Sequence, residues 1–173
     1  MIRITCFIIL MFLAGLPIIA QEGYPEPSDK NGLLFYIQHN RGKNTFFYSL
    51  NYRGKHQLDQ DDPIKVQREL YDEDGAIKPL SAVQRAFAYG ISTKKRQHGY
   101  EAAIVSMPSQ KLYLFTPAHK PAYVETTVNG KAIRLKRIFI KQKDGTSGLG
   151  TKVDYILFYG THNNKAVVEK LIP

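Results

Sequence analysis

Residues 64–90, IKVQRELYDEDGAIKPLSAVQRAFAYG, decide the fold, because only here does an apolar period of two hand over to one near 3.6. Ile64, Val66 and Leu70 fall on one face of an extended chain, with Arg68 among them, while Lys65, Gln67 and Glu69 fall on the other. That is a half-buried strand. Asp72-Glu73-Asp74-Gly75 follows with residues that tolerate left-handed backbone angles, so the chain turns. Pro79 and Ser81 open the next element, and Ser81 and Gln84 stand at the spacing of a reciprocal capping box. Val83, Ala86, Phe87 and Gly90 then recur at helical spacing, with Gly90 as a left-handed stop. A helix of roughly eight residues cannot sustain itself in water. It is expected to lie on a sheet through Leu80, Val83 and Phe87, as a lid or plug.

Outward from that stretch, everything reads as strand and turn. Leu33 to His39 is a continuous apolar run, expected to be a central strand, and Phe46, Tyr48, Leu50 and Tyr52 alternate in a second that pairs with it. Downstream, Lys94 to Gly99 is a basic turn between two strands, Gln110 to Phe115 a short strand, and Tyr123 to Val128 a strand ending at Asn129-Gly130, the strongest hairpin signal in the chain. In the return strand Lys131 to Lys143, Arg137 breaks the alternation and Ile138 and Ile140 resume it in the opposite phase. This predicts a bulge near Lys136-Arg137. Tyr155 to Tyr159 and Ala166 to Ile172 close the domain. The fold class is mainly β: an antiparallel sandwich or barrel of about nine strands with one short helix packed on it.

The ends and totals narrow the function classes. Met1 to Ala20 reads as a secretory signal peptide, with a short basic start, an apolar run and a cleavage site before Gln21; Ile18 stands where a smaller residue is preferred, so an uncleaved anchor is the alternative. Residues 21–32, rich in proline and glycine, read as a flexible lead-in, and 33–173 as a single β-rich domain. The only cysteine is Cys6, inside the leader, which excludes disulfides, thiol catalysis and Cys-ligated zinc from the rest. Losing a leader whose one charge is Arg3 takes the net charge from +9 to +8. The partners this favours are an anionic glycan, a lipid head group or an acidic protein, and not nucleic acid given export. No second apolar run is long enough to span a bilayer once the leader is cleaved.

Several pieces together, Leu34-Phe35-Tyr36-Ile37-Gln38, Asn44-Thr45, Asp74-Gly75, Gln84-Arg85, Phe87-Ala88-Tyr89-Gly90, Asn129-Gly130-Lys131, Tyr155 and Tyr159-Gly160, resemble an uncharacterised family of mostly bacterial exported proteins, a domain of unknown function. The resemblance covers nearly the whole mature chain. It implies a single exported domain and no particular activity, cofactor or catalytic residue.

Chemical motifs mostly fail inspection. Gly145 to Lys152 nearly spells a phosphate-binding loop, but Thr and Lys are in the wrong order and a strand follows instead of a helix. His39, His56, His98, His119 and His162 include no pair at helical metal-ligand spacing, and the acidic runs at 59–62 and 72–75 lack a calcium-loop pattern, so no metal or other cofactor is expected. The informative group is Arg68, pointed inward by the strand period. An unpaired guanidinium there would cost several kcal/mol, so it needs Glu101, Glu125 or an anionic ligand. Gln38, His39, Asn40, Arg85 and Tyr89 are expected to line the same mouth. A second candidate is a basic surface of Lys94, Lys95, Arg96, Arg134, Lys136 and Arg137, although edge strands also carry lysine simply to block edge pairing. Two readings follow: an exported, non-catalytic binding or envelope-associated module for an anionic ligand, or a small extracytoplasmic hydrolase built from dispersed residues such as His39, Glu101 and His162.

Overall fold

A computed structural model describes residues 24–54 and 57–173. The proposed leader and His56 lie outside them. In chain order the strands are β1 (Leu33–His39), β2 (Thr45–Leu50), β3 (Tyr52–Arg53), β4 (Gln57–Leu58), β5 (Ile64–Leu70) and β6 (Ala76–Pro79). The helix α1 (Ala82–Phe87) comes next, then β7 (Ile91–Arg96), β8 (Gly99–Ile104), β9 (Leu112–Phe115), β10 (Tyr123–Val128), β11 (Lys131–Gln142), β12 (Val153–His162) and β13 (Lys165–Leu171). The protein is mainly β, with one short α-helix among the described residues.

Local signals produced the hairpins. Asn129 and Gly130 both take positive φ (52° and 76°), and β10 and β11 pair antiparallel across them. The turn after β5 holds Asp74 at φ 53° and returns the chain as β6, a strand that the sequence reading passed over. Register slips between Leu135 and Arg137, which is the bulge that the broken alternation predicted.

The expectation of a purely antiparallel sheet is overturned. Eleven strands form one mixed sheet in the order β6-β5-β2-β1-β11-β10-β9-β8-β7, with β12 and β13 branching from β11. β1 runs parallel to β11, Tyr36 to His39 against Arg137 to Ile140. Strand β11 is long enough to serve three neighbours. One edge meets β12 from Arg134 to Gln142; the other meets β10 before the bulge and β1 after it.

The sheet curls into a half-barrel and does not close. Its main strand order ends at β6 and β7, and the segment 80–90 bridges the gap between them. β6 ends at Pro79, which has no N–H to extend a ladder. Inside the curl lies one apolar core that includes Phe35, Ile37, Phe46, Tyr48, Leu112, Ile133, Ile138 and Phe158.

The helix does not pack as expected. Its capping box is present, with both reciprocal hydrogen bonds between Ser81 and Gln84. Yet no helix residue is buried, and Val83 and Phe87 are 62% and 63% exposed. The segment holds on through its flanks instead: Leu80 enters the core and Tyr89 packs against it. Nor is Gly90 a left-handed stop, since its φ is not positive. A side chain is forbidden there for another reason, because a Cβ would overlap the Arg85 carbonyl oxygen and stand 2.9 Å from its carbon.

Candidate functional site

The inner face carries part of the predicted mouth. Ile37 on β1, Phe46 on β2 and Arg68 on β5 are successive cross-strand partners, so they share a face. His39 lies diagonal to Phe46, their ring centres 6.1 Å apart, and Tyr89 stacks on Phe46 at 3.5 Å with planes 10° apart. The Tyr89 carbonyl accepts a hydrogen bond from the Tyr48 hydroxyl at 2.8 Å, which fixes the bridging segment to the sheet. His39 accepts the Arg41 N–H through Nδ1, and burial lowers its pKa below the usual histidine value. The Tyr89 hydroxyl is pushed up to about 12 by burial.

Arg68 stands opposite Phe46 with no acid paired to it among the described residues. Its Nε is buried and makes no hydrogen bond. Neither expected partner reaches it: Glu101 pairs with Arg96, and Glu125 stands opposite Arg134. Its neighbour across β6, Lys78, pairs with Glu73. The structure therefore brings Arg68, His39 and Tyr89 around Phe46. It does not bring the other three. Gln38 faces the opposite side of the sheet, where its amide donates to Thr45 Oγ1 and the Pro25 carbonyl. Asn40 clamps the end of β11 through both Gln142 backbone groups, and Arg85 is exposed on the helix.

The outer face holds a second unpaired guanidinium, one that sequence reasoning misplaced on the surface. Because the bulge seats both Lys136 and Arg137 outward, Arg137 falls between the rings of Phe139 and Tyr159, at 5.3 and 4.9 Å, and is only 3% exposed. Its Nε and Nη2 are buried without hydrogen bonds. Tyr36, opposite it on β1, is also buried, and desolvation, with a contribution from Glu26, raises its hydroxyl to about 12. Covering this face is the segment after Gly23. Tyr24 packs on Phe139 at 5.6 Å, Glu26 pairs with Lys136 and Lys30, and Ser28 N–H donates to Glu69. The prolines keep this strap out of regular secondary structure, and it is nonetheless tied across β1 and β11.

The other predicted basic residues do not make one surface. Lys94, Lys95 and Arg96 lie on edge strand β7, four strands from β11, or roughly 19 Å at the usual interstrand spacing. They belong to the strand rather than to the turn after it. Several have resident partners: Lys95 with Gln60, Arg96 with Glu101, Lys136 with Glu26, and Arg134 over the Tyr123 ring at 4.3 Å. A cleft of about 570 Å³ opens elsewhere, between Lys30, Leu33, Leu50, Tyr52 and the loop that contains Pro117 and Lys120. No sequence pattern marked it, since it is assembled from strand ends and loops far apart in the chain. Among the described residues no group of three His, Asp or Glu side chains is placed to hold a metal ion. No helix there is long and apolar enough to cross a membrane.

A family model described as a domain of unknown function, DUF4833, matches residues 35–170. The chain belongs to this family. No curated protein and no solved structure matches it significantly. The DUF4833 match takes in both unpaired arginines and the aromatic wall, and it stops short of the strap that covers Arg137.

Proposed function

We propose that this DUF4833 chain is an exported, non-catalytic binding module whose ligand is anionic and engages Arg68. The observation that carries the reading is the half-buried Arg68 on the inner face, whose buried Nε makes no hydrogen bond and which stands opposite Phe46, the ring on which His39 and Tyr89 stack. An inward cation without a resident acid is costly, and a ligand carboxylate or phosphate would supply the missing charge-assisted hydrogen bonds. The aromatic wall offers a face for an apolar or ring portion of the same ligand. Export rests on the leader-like Met1 to Ala20.

The hydrolase reading is less well supported. His39, Glu101 and His162 stand on β1, β8 and β12 and answer to different partners: the Arg41 N–H, Arg96 and the Ala132 carbonyl. No nucleophile and base meet within hydrogen-bond reach among them, which is what either role requires.

A thermal-melt screen of the mature chain against phosphates, anionic glycans and anionic lipid head groups tests this. A ligand at 100 times its Kd adds about 2.7 kcal/mol, a shift of several degrees in a domain of this size. The response should vanish in Arg68→Met. If Arg68→Met still holds the ligand as tightly as the parent, the site is wrong. Mass spectrometry of material recovered outside the cytoplasm should find a chain beginning at Gln21.

A further inference from the structure

We infer that Arg137 is the receptor for a small monocarboxylate, bound on the outer face of the sheet beneath the Tyr24–Ser28 strap. This site is distinct from the inner-face mouth at Arg68, and it stands or falls independently.

The Arg137 side chain is 3% exposed and has two buried nitrogens without acceptors. Buried cations are ordinarily paired. Among the described residues the nearby acids are engaged elsewhere. Glu26 pairs with Lys30 and Lys136, Glu69 takes the Ser28 N–H, and Glu169 takes Lys131 and Asn129. The rings of Phe139 and Tyr159 offer the guanidinium cation–π contact. They cannot accept hydrogen bonds as a carboxylate does, and a planar guanidinium presents its donors in the fork that a carboxylate fits.

The surroundings narrow the class. Tyr36, opposite Arg137, has a hydroxyl that stays neutral at physiological pH and can donate to the same oxygen. One cation flanked by neutral groups matches a single negative charge. Glu26, close enough to act on Tyr36, disfavours a second.

Access is through the cover. The strap makes no β-ladder; it is held by the Tyr24 ring contact, the Pro25 carbonyl on the Gln38 amide, the Tyr71 hydroxyl on the Glu26 carbonyl, and the Ser28 and Glu26 contacts above. Bonds so few and so separated can open locally while the sheet stays folded. The strap lies on the N-terminal side of the residues that the family model matches.

The experiment is a melt of the mature chain with acetate, propionate or benzoate against chloride at matched ionic strength, on the parent and four variants. A saturating carboxylate should raise the parent midpoint by roughly 5–10 °C, and phosphate should do less. Arg137→Met should melt no lower than the ligand-free parent, since it removes an uncompensated buried charge, and should lose the carboxylate response. Arg137→Lys should weaken the response about tenfold or more in concentration, because it keeps the charge and loses the fork. Arg68→Met should keep the response in full.

No response in the parent overturns the inference, as does a response that survives in Arg137→Met. A fall of more than about 5 °C in ligand-free Arg137→Met would make the residue structural and overturn it too. So would a response that appears only in Glu22→Gln, an acid next to the strap in sequence and outside the described residues, which would assign the carboxylate to the chain itself.

Discussion

Gly90→Ala is the sharpest test of how the bridging segment works. The new methyl would overlap the Arg85 carbonyl oxygen and approach the Arg85 Cα to 3.3 Å, so either the last helical turn or Gly90 itself must move. Gly90 cannot move alone. Its carbonyl accepts Val105 N–H at 2.9 Å, the adjacent Tyr89 carbonyl accepts the Tyr48 hydroxyl at 2.8 Å, and the Tyr89 ring lies on Phe46. Losing two hydrogen bonds at about 1 kcal/mol each and an aromatic pair at about 1 kcal/mol gives a cost of roughly 3 kcal/mol. In a domain of this length that lowers the melting midpoint by about 6–12 °C. Circular dichroism melts, confirmed reversible by rescanning, would measure it. Gly145→Ala is the control: its φ of 77° is strained for alanine, nothing lies within 4 Å, and it should cost only about 1 kcal/mol. If Gly90→Ala melts within about 2 °C of the parent, the bridge does not depend on that close approach.

Three further outcomes are expected. Because burial depresses the His39 pKa, the folded state resists protonation, so stability present above pH 6.5 should decline as pH falls below that value; His39→Gln should flatten this part of a midpoint-against-pH plot. At the alkaline end, Tyr36 and Tyr89 are raised to about 12, so the stability they confer is complete below pH 10 and lost as pH climbs from there. Absorbance titration should show a late tyrosinate phase that shrinks in Tyr36→Phe and again in the double Phe variant. Ser81→Ala breaks the capping box and should cost about 1 kcal/mol by urea denaturation, with no change in anion response, since the helix only bridges the seam.

Much of the local structure was legible because it depends on local chemistry. The Asn129-Gly130 turn, the Ser81–Gln84 box and the bulge at Arg137 each follow from a few adjacent residues. The parallel join of β1 to β11 does not, because hairpin signals say which neighbours pair and nothing about how finished hairpins meet. For the same reason Val83 and Phe87 misled: their spacing is helical, but the burial belongs to Leu80 and Tyr89 on either side. At the site, Arg68 was readable from a period of two. Arg137 announced itself by breaking the alternation, yet its burial depends on a strap whose prolines read as unstructured chain.

The parallel pairing also sets an order of events during synthesis. Tyr36 cannot meet Arg137 until the intervening chain has been made, whereas each hairpin can close within microseconds of its own completion. At ordinary elongation rates the β1–β2 wing waits about 5–20 s for its partner. Through that interval the edge from Tyr36 to His39 is unpaired, the condition under which strands join the wrong chain. Contact order, more than final stability, therefore sets how safely this domain reaches its native state.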